Sequence, residues 1–157
     1  MNPTVYIETS VVSYFANRDG SDVIVLAQQQ ITREWWRDAA KSFDLFVSDL
    51  VASEIGHGDS LAANARLEAV ASIPILGLDA ESEALAERLL KIAALPPTAQ
   101  DDALHIAVAT VNGMDFLLTW NCTHIANART REIINSRCRT AGYEPPVICT
   151  PPELRGD

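Results

Sequence analysis

Short apolar segments alternate along this chain with longer stretches of helical composition, and this alternation is the strongest constraint on the fold. The strand candidates, in chain order, are TVYI, DLFVS, IPILGL, DFLLTW and PPVICTP. The helical stretches between them cover residues 23–41, 60–71, 80–94, 98–113 and 122–142. Strands that alternate with helices predict an α/β fold, with a central, mostly parallel sheet covered by helices on both faces. A length of 157 residues predicts a single domain spanning 1–157.

The net charge narrows the classes of function. Acidic residues outnumber basic ones, which gives a formal net charge of −9. This charge counts against a general nucleic-acid-binding protein, because phosphate contacts come from Lys and Arg. It does not exclude a nuclease, because acids can gather around a divalent cation. The sequence has no basic segment ahead of an apolar one and no apolar run near the ~20 residues that span a bilayer, so we expect a soluble, cytoplasmic protein.

Polar residues fall where the predicted strands end, which is where sites form in parallel sheets. Glu8 ends the first strand candidate and, with Thr9 and Ser10, forms a helix-start signal. Asp49 follows the second strand candidate and is predicted to cap the next helix, and Asn121 follows DFLLTW. Glu8 also has an ordinary interpretation, as a solvated strand end or a helix N-terminal acid that the macrodipole favours.

Two later helices carry further acids. Glu54 lies close to the predicted core face of its helix, where an unpaired charge is costly. Asp101 and Asp102 open a largely apolar helix; N-capping is the ordinary interpretation of Asp101, whereas Asp102 can point into a cavity at the sheet edge. His105, on the same helix, is interpreted as a satisfied core or rim residue rather than a metal ligand.

Four segments in their observed order resemble the PIN domain, and in particular the VapC-like ribonuclease toxins. They are YIETSVVSYF, SDLVASEI, DDALHIAVA and DFLLTWNCTHIAN, and they extend from Tyr6 to about Asn127. The resemblance implies a three-layer α/β/α sandwich and a metal-dependent endoribonuclease that uses Mg²⁺ or Mn²⁺. It also implies an RNA substrate, a cognate antitoxin protein as partner, and a homodimer.

The resemblance also assigns a site. The catalytic positions of the family fall on Glu8, Glu54, Asp102 and Asn121, and the first three of these would hold the metal. Two positions depart from the commonest pattern, because Glu8 and Asn121 stand where the family has Asp. Ser10 and Thr119 would hydrogen-bond a carboxylate or the phosphate, and the alternative for both is a helix cap or a sheet-edge hydroxyl. Asp101 would be an extra acidic neighbour.

Two basic clusters are candidates for contact with RNA. Arg129 and Arg131, with Arg137 and Arg139, follow Asn121 and would receive the phosphate backbone; the alternative is a solvated helix face. A second cluster contains Arg33, Trp35, Trp36 and Arg37. At least one of its tryptophans is predicted to pack in the core, and the other is predicted to lie at an oligomer or antitoxin interface.

Two other classes of function stay open at this point. A PIN fold with a weakened or lost nuclease site would bind RNA or a partner protein without cutting, and Glu8 and Asn121 favour that alternative. A receiver-like signalling domain would also carry acids at strand ends. It should carry a Lys after its last strands, but the only lysines are Lys41 and Lys91, and neither follows a predicted strand.

Overall fold

The computed structural model describes residues 1–91 and 95–155. Its five strands form one sheet in which all neighbouring strands are parallel, in the order β3-β2-β1-β4-β5. The strands are β1 (Thr4–Ile7), β2 (Asp44–Ser48), β3 (Ile75–Leu76), β4 (Phe116–Leu118) and β5 (Val147–Cys149). The predicted α/β class and parallel sheet are therefore confirmed.

The chain order around β1 creates a natural place for a site. From β1 the chain builds β2 and β3 outward on one side, and then returns to place β4 and β5 on the other side. A parallel sheet opens a crevice at such a reversal, beyond the carboxyl ends of the two strands that flank it. Here those strands are β1 and β4, where Ile7 lies opposite Leu118, and the Glu8 amide donates to the Leu118 carbonyl at 3.1 Å.

Seven α-helices are found among the described residues. They are α1 (Thr9–Ala16), α2 (Val23–Glu34), α3 (Asp49–Ile55), α4 (Ser60–Ala69), α5 (Ala80–Lys91), α6 (Gln100–Val111) and α7 (Ala128–Thr140). The predicted end of α5 at Ala94 lies outside the described residues. Gly113 and Gly142 follow α6 and α7 with φ of 67° and 94°, a conformation that favours glycine, as predicted for helix ends.

Two predicted helices are shorter than expected. The stretch predicted as one helix over 23–41 ends as α2 at Glu34 and continues as a π-helical turn, which places the Trp35 indole against the Leu154 carbonyl at 2.6 Å. Trp35 is buried, in agreement with the prediction that at least one of the two tryptophans packs in the core. The last predicted helix begins at Ala128 rather than Cys122, because the Asn121 carbonyl accepts the amides of Ile125 and Ala126 and closes a turn.

Two helix caps differ from the prediction. Ser48, not Asp49, caps α3, because β2 keeps an extended backbone through Ser48, whose hydroxyl accepts the Val51 amide at 3.2 Å. Ala99 is the N-cap of α6, so the N-capping interpretation of Asp101 is wrong. By contrast, Glu8 caps α1 as a helix-start signal should, with its carboxylate accepting the Ser10 amide.

The sheet's core lies under the crevice. Val5, Tyr6 and Ile7 of β1 have no exposed surface, nor have Leu117 and Leu118 of β4. Helix α6 is buried from Ala103 to Thr110 apart from Leu104, so its first turn is fixed against the sheet. None of the helices in the described residues is long and apolar enough to cross a membrane.

Candidate active site

The Glu8 carboxylate is held at the end of β1. Its Oε2 accepts three hydrogen bonds: from the Ser10 amide at 2.8 Å, the Ser10 hydroxyl at 2.5 Å and the Thr119 hydroxyl at 3.1 Å. Glu8 and Thr119 are both buried, so these hydrogen bonds hold the Glu8 carboxylate in one orientation. Among the described residues, no hydrogen bond reaches Oε1, and a carboxylate can accept about four. One oxygen of Glu8 is therefore fixed and the other is available to a ligand.

The Glu54 carboxylate is oriented in a similar way from α3. Its Oε1 accepts from the Thr9 hydroxyl at 2.9 Å and lies 2.5 Å from Nε2 of His105. Burial alone would raise the pKa of Glu54, but the hydrogen bond and electrostatic attraction from His105, with the hydrogen bond from Thr9, outweigh burial and hold that pKa below its ordinary value. Glu54 is therefore an ionised carboxylate, 31% exposed, with one oxygen held by donors.

Behind Glu54 runs a chain of buried side chains. His105 Nδ1 lies 2.7 Å from the Tyr6 hydroxyl, which lies 2.7 Å from the Ser48 hydroxyl. Burial raises the pKa of the Tyr6 hydroxyl far above its ordinary value, so it stays protonated and can donate. We call the set Ser48, Tyr6, His105, Glu54 and Thr9 the inner network. Its members come from β1, β2, α1, α3 and α6, so it ties Glu54 to the core of the sheet.

Asp102 lies in a second, more exposed cluster at the first turn of α6. Its Oδ1 accepts from the Asn121 amide nitrogen at 3.0 Å, and its Oδ2 lies 2.7 Å from Nδ1 of His124. The Asn121 Oδ1 in turn accepts the His124 backbone amide at 3.0 Å. We call Asp102, Asn121 and His124 the outer network. The side chains of Asp102 and His124 are 22% and 32% exposed, so water reaches this network.

The four predicted catalytic residues are linked into one site. The backbone amide of Asn121 donates to the Thr119 hydroxyl at 2.9 Å, and that hydroxyl donates to Glu8. Thr9 follows Glu8 directly and donates to Glu54. Among the described residues, direct contact therefore joins only Asp102 and Asn121 of these four, whereas Glu8 and Glu54 are connected through Thr119 and Thr9. Ser10 and Thr119, predicted to hydrogen-bond a carboxylate, both contact Glu8.

The donor set suits a hard divalent cation but does not form a complete cage. Within residues 1–91 and 95–155, no three His, Cys, Asp or Glu side chains are grouped so that they could hold a metal ion by themselves. The available atoms are carboxylate and amide oxygens, which suit Mg²⁺ and Mn²⁺. Mg²⁺ in particular usually binds through one or two carboxylates and completes its shell with water and substrate phosphates. The residues present fit an ion of that kind.

Other predicted residues lie outside these contacts. Asp101 is exposed in the first turn of α6, Arg129 is exposed, and Arg131 is partly buried on α7. Their predicted parts in the site and in RNA binding stay predictions.

Sequence reasoning missed two histidines of the site. His105 was correctly placed in the core, but its bond to Glu54 was not foreseen. The bond joins residues 51 positions apart, so no local spacing reveals it. His124 was not considered at all. The spacing Asn121-x-x-His124 is that of a capping Asn, which accepts the backbone amide of the third residue on, but it does not reveal the bond from the His124 side chain to Asp102.

The fold matches those of solved VapC toxins. A chain of VapBC2 from Rickettsia felis, crystallised with a DNA fragment from its promoter, has a TM-score of 0.56 at 13% identity, covering 94% of this chain and 98% of that chain. VapC20 of Mycobacterium tuberculosis, a toxin that cleaves the sarcin–ricin loop, has a TM-score of 0.60 at 18% identity, covering 78% and 93%. No family model matches the sequence, and no curated protein matches it significantly. The protein thus has the predicted PIN-like fold.

Proposed function

We propose that this protein is a metal-dependent endoribonuclease and the toxin of a toxin–antitoxin pair. The observation that carries the proposal is the crevice between β1 and β4, where Glu8 and Glu54 each keep one oxygen fixed by hydrogen bonds and the other oxygen available. Asp102 adjoins them through Asn121 and Thr119. This arrangement of acids lies on a fold shared with VapC toxins, one of which cleaves RNA.

These acids would hold the cation with water and a substrate phosphate completing its shell, since no three such side chains form a cage by themselves in the described residues. Carboxylates that share a cation repel one another. Such repulsion is on the order of 4 kcal/mol for a pair at 4 Å with an effective dielectric near 20. A bound Mg²⁺ or Mn²⁺ would offset this repulsion, lower the pKa of a coordinated water and stabilise the charge that develops on the phosphate.

The remaining tasks fall to the chain's own side chains. Ser10 and Thr119 keep Glu8 in one orientation, while Asn121 and His124 do the same for Asp102. Arg129 and Arg131, on the helix that follows the Asn121 turn, would contact the phosphates that flank the cleaved bond. The net charge of −9 makes such local basic contacts necessary, because the whole protein does not attract RNA.

The partners follow from the same proposal. The VapBC2 structure from Rickettsia felis is described as bound to promoter DNA. For this chain we propose a cognate antitoxin with a DNA-binding half, a homodimeric toxin and a cytoplasmic location. Growth arrest when the chain is produced alone, relieved by co-production of the neighbouring small gene, would support the toxin role. Absence of any growth effect would contradict it.

Cleavage of an RNA mixture tests the enzyme directly. The purified protein should cut RNA with Mn²⁺ or Mg²⁺, stop in EDTA, and resume when the metal is returned in excess. The double variant Glu54→Gln/Asp102→Asn should be inactive with an unchanged circular dichroism spectrum. Glu87→Gln is the matched control, because Glu87 is an exposed acid of α5 paired with Lys91. Equal cleavage by the double variant would overturn the assignment.

A binding module without nuclease activity is the second candidate. Asn121 favours it, because an amide in place of a carboxylate lowers the ligand charge available to a cation. In that case RNA should bind, as measured by fluorescence anisotropy, without any cleavage in Mn²⁺.

A further inference from the structure

The contacts behind Glu54 hold the His105 ring through both of its nitrogens. Ionised Glu54 only accepts, so His105 must donate to it through Nε2. On the other side of the ring, Nδ1 of His105 lies 2.7 Å from the Tyr6 hydroxyl, which can donate or accept there. The Tyr6 hydroxyl also hydrogen-bonds the Ser48 hydroxyl, which accepts the Val51 amide.

This series of hydrogen bonds begins and ends on the same helix, α3. Ser48 is the N-cap of α3, and Glu54 lies in its last turn, so the path leaves α3, crosses β1 and α6, and returns to α3. Tyr6 and Ser48 have no exposed surface and His105 has 1%. Water therefore has little access to the interior bonds, and a buried donor that loses its partner is costly. The orientation of the imidazole is consequently fixed by the protein alone.

We propose that His105 is a positioning residue, which holds Oε1 of Glu54 so that Oε2 faces the crevice for the divalent cation. Tyr6 acts one step further back, by fixing the orientation of the His105 ring through its contact with Nδ1. The inference rests on the proposed function, because it names how one of the metal-binding acids is prepared. A ligating carboxylate that is hydrogen-bonded by a fixed partner binds metal more strongly than one free to rotate.

Calorimetric titration with Mn²⁺ in the absence of RNA tests the proposal without relying on activity. His105→Leu should weaken Mn²⁺ binding by about tenfold to 100-fold, since it removes the donor. His105→Gln can still donate an amide proton to Glu54 and should bind Mn²⁺ more strongly than His105→Leu. Tyr6→Phe leaves the donor but frees its orientation, and should cause a smaller loss than His105→Leu.

A matched control separates positioning from simple core packing. Val108→Ala removes buried volume from the same helix, α6, and removes no hydrogen-bonding group of the inner network. It should lower the melting temperature but leave Mn²⁺ affinity unchanged. If His105→Leu behaves like Val108→Ala, with lower stability and wild-type Mn²⁺ affinity, the proposal is overturned.

The tautomer provides a second, independent readout. Imidazole ¹⁵N chemical shifts of the metal-free protein should show a proton on Nε2 of His105; a ring whose only proton is on Nδ1 would overturn the proposal. A wild-type protein that binds Mn²⁺ through a His105-dependent site but cuts no RNA would refute the ribonuclease and support the positioning role. If the His105→Leu variant still cuts RNA and binds Mn²⁺ with wild-type affinity, the positioning role is refuted and the ribonuclease is supported.

Discussion

The inner and outer networks present acids to the same crevice by different physical means. Glu54 is held by His105, which is 1% exposed and fixed by side chains from the sheet. Asp102 is held by Asn121 and His124, which come from the turn after β4, and the His124 side chain is 32% exposed. One acid is oriented by the core and the other by a surface turn.

The difference shows that buried and exposed hydrogen-bond donors contribute differently to the geometry of one site. Buried donors such as His105 cannot exchange their partners for water, so they fix geometry at a high cost if disrupted. Exposed donors such as His124 can be replaced by water at a lower cost, so they tune the site rather than define it. The predictions below compare matched changes in the two networks.

The largest effect is expected from removing either acid's charge. Glu54→Gln and Asp102→Asn should each reduce RNA cleavage by more than the about 100-fold that losing a supporting partner can cost. Both changes keep the shape of the side chain, so circular dichroism and melting temperature should change little. Single-turnover cleavage with excess enzyme measures the loss. If one variant keeps near wild-type activity, its acid is not part of the metal site and only the other network is catalytic.

The second prediction concerns stability, where the two networks should differ. Glu54→Leu and Asp102→Leu each remove one negative charge from the same site, so any relief of repulsion is similar. Glu54→Leu additionally leaves the buried Nε2–H of His105 against an apolar group, which costs about 1–3 kcal/mol. Urea unfolding of the metal-free protein should therefore show Glu54→Leu less stable by that order. Equal stabilities would mean that the inner network is no more rigid than the outer one.

The third prediction tests the exposed histidine. His124→Ala removes one donor to Asp102 and should lower cleavage by about tenfold, the lower end of the range for supporting residues, because water can take its place. His124→Asn returns an amide donor near the Nδ1 position and should recover part of the activity. The loss should also be smaller than that caused by His105→Leu. Full activity in His124→Ala would remove His124 from the site.

The same contrast explains what sequence reasoning reached and what it missed. The parallel sheet and the acids at strand ends were predictable, because alternation and strand-end position are local properties. The choice of Ser48 over Asp49 as the N-cap of α3 was not predictable, because the cap position depends on where the backbone of β2 stops being extended. The bond from His105 to Glu54 depends on where the sheet places α6 relative to α3, which the linear spacing does not encode.

The smallest effect is expected at Asn121, where two roles coincide. Its Oδ1 accepts the His124 amide, and its Nδ2 donates to Asp102. Asn121→Asp keeps the acceptor that closes the turn, so capping is preserved. It replaces the donor with a second carboxylate oxygen beside Asp102, so the two side chains repel each other when no cation is bound.

The metal-free Asn121→Asp variant should therefore be slightly less stable, by less than about 1 kcal/mol at this water-exposed position. Mn²⁺ should raise its melting temperature more than that of the wild type, because added ligand charge strengthens the binding of hard cations. Asn121→Ala is the matched control, which loses both the cap and the donor and should weaken metal-supported cleavage. Calorimetric titration and thermal melts with and without Mn²⁺ measure these effects. If Asn121→Asp leaves Mn²⁺ affinity unchanged and Asn121→Ala costs only stability, Asn121 closes the turn and has no place in the metal site.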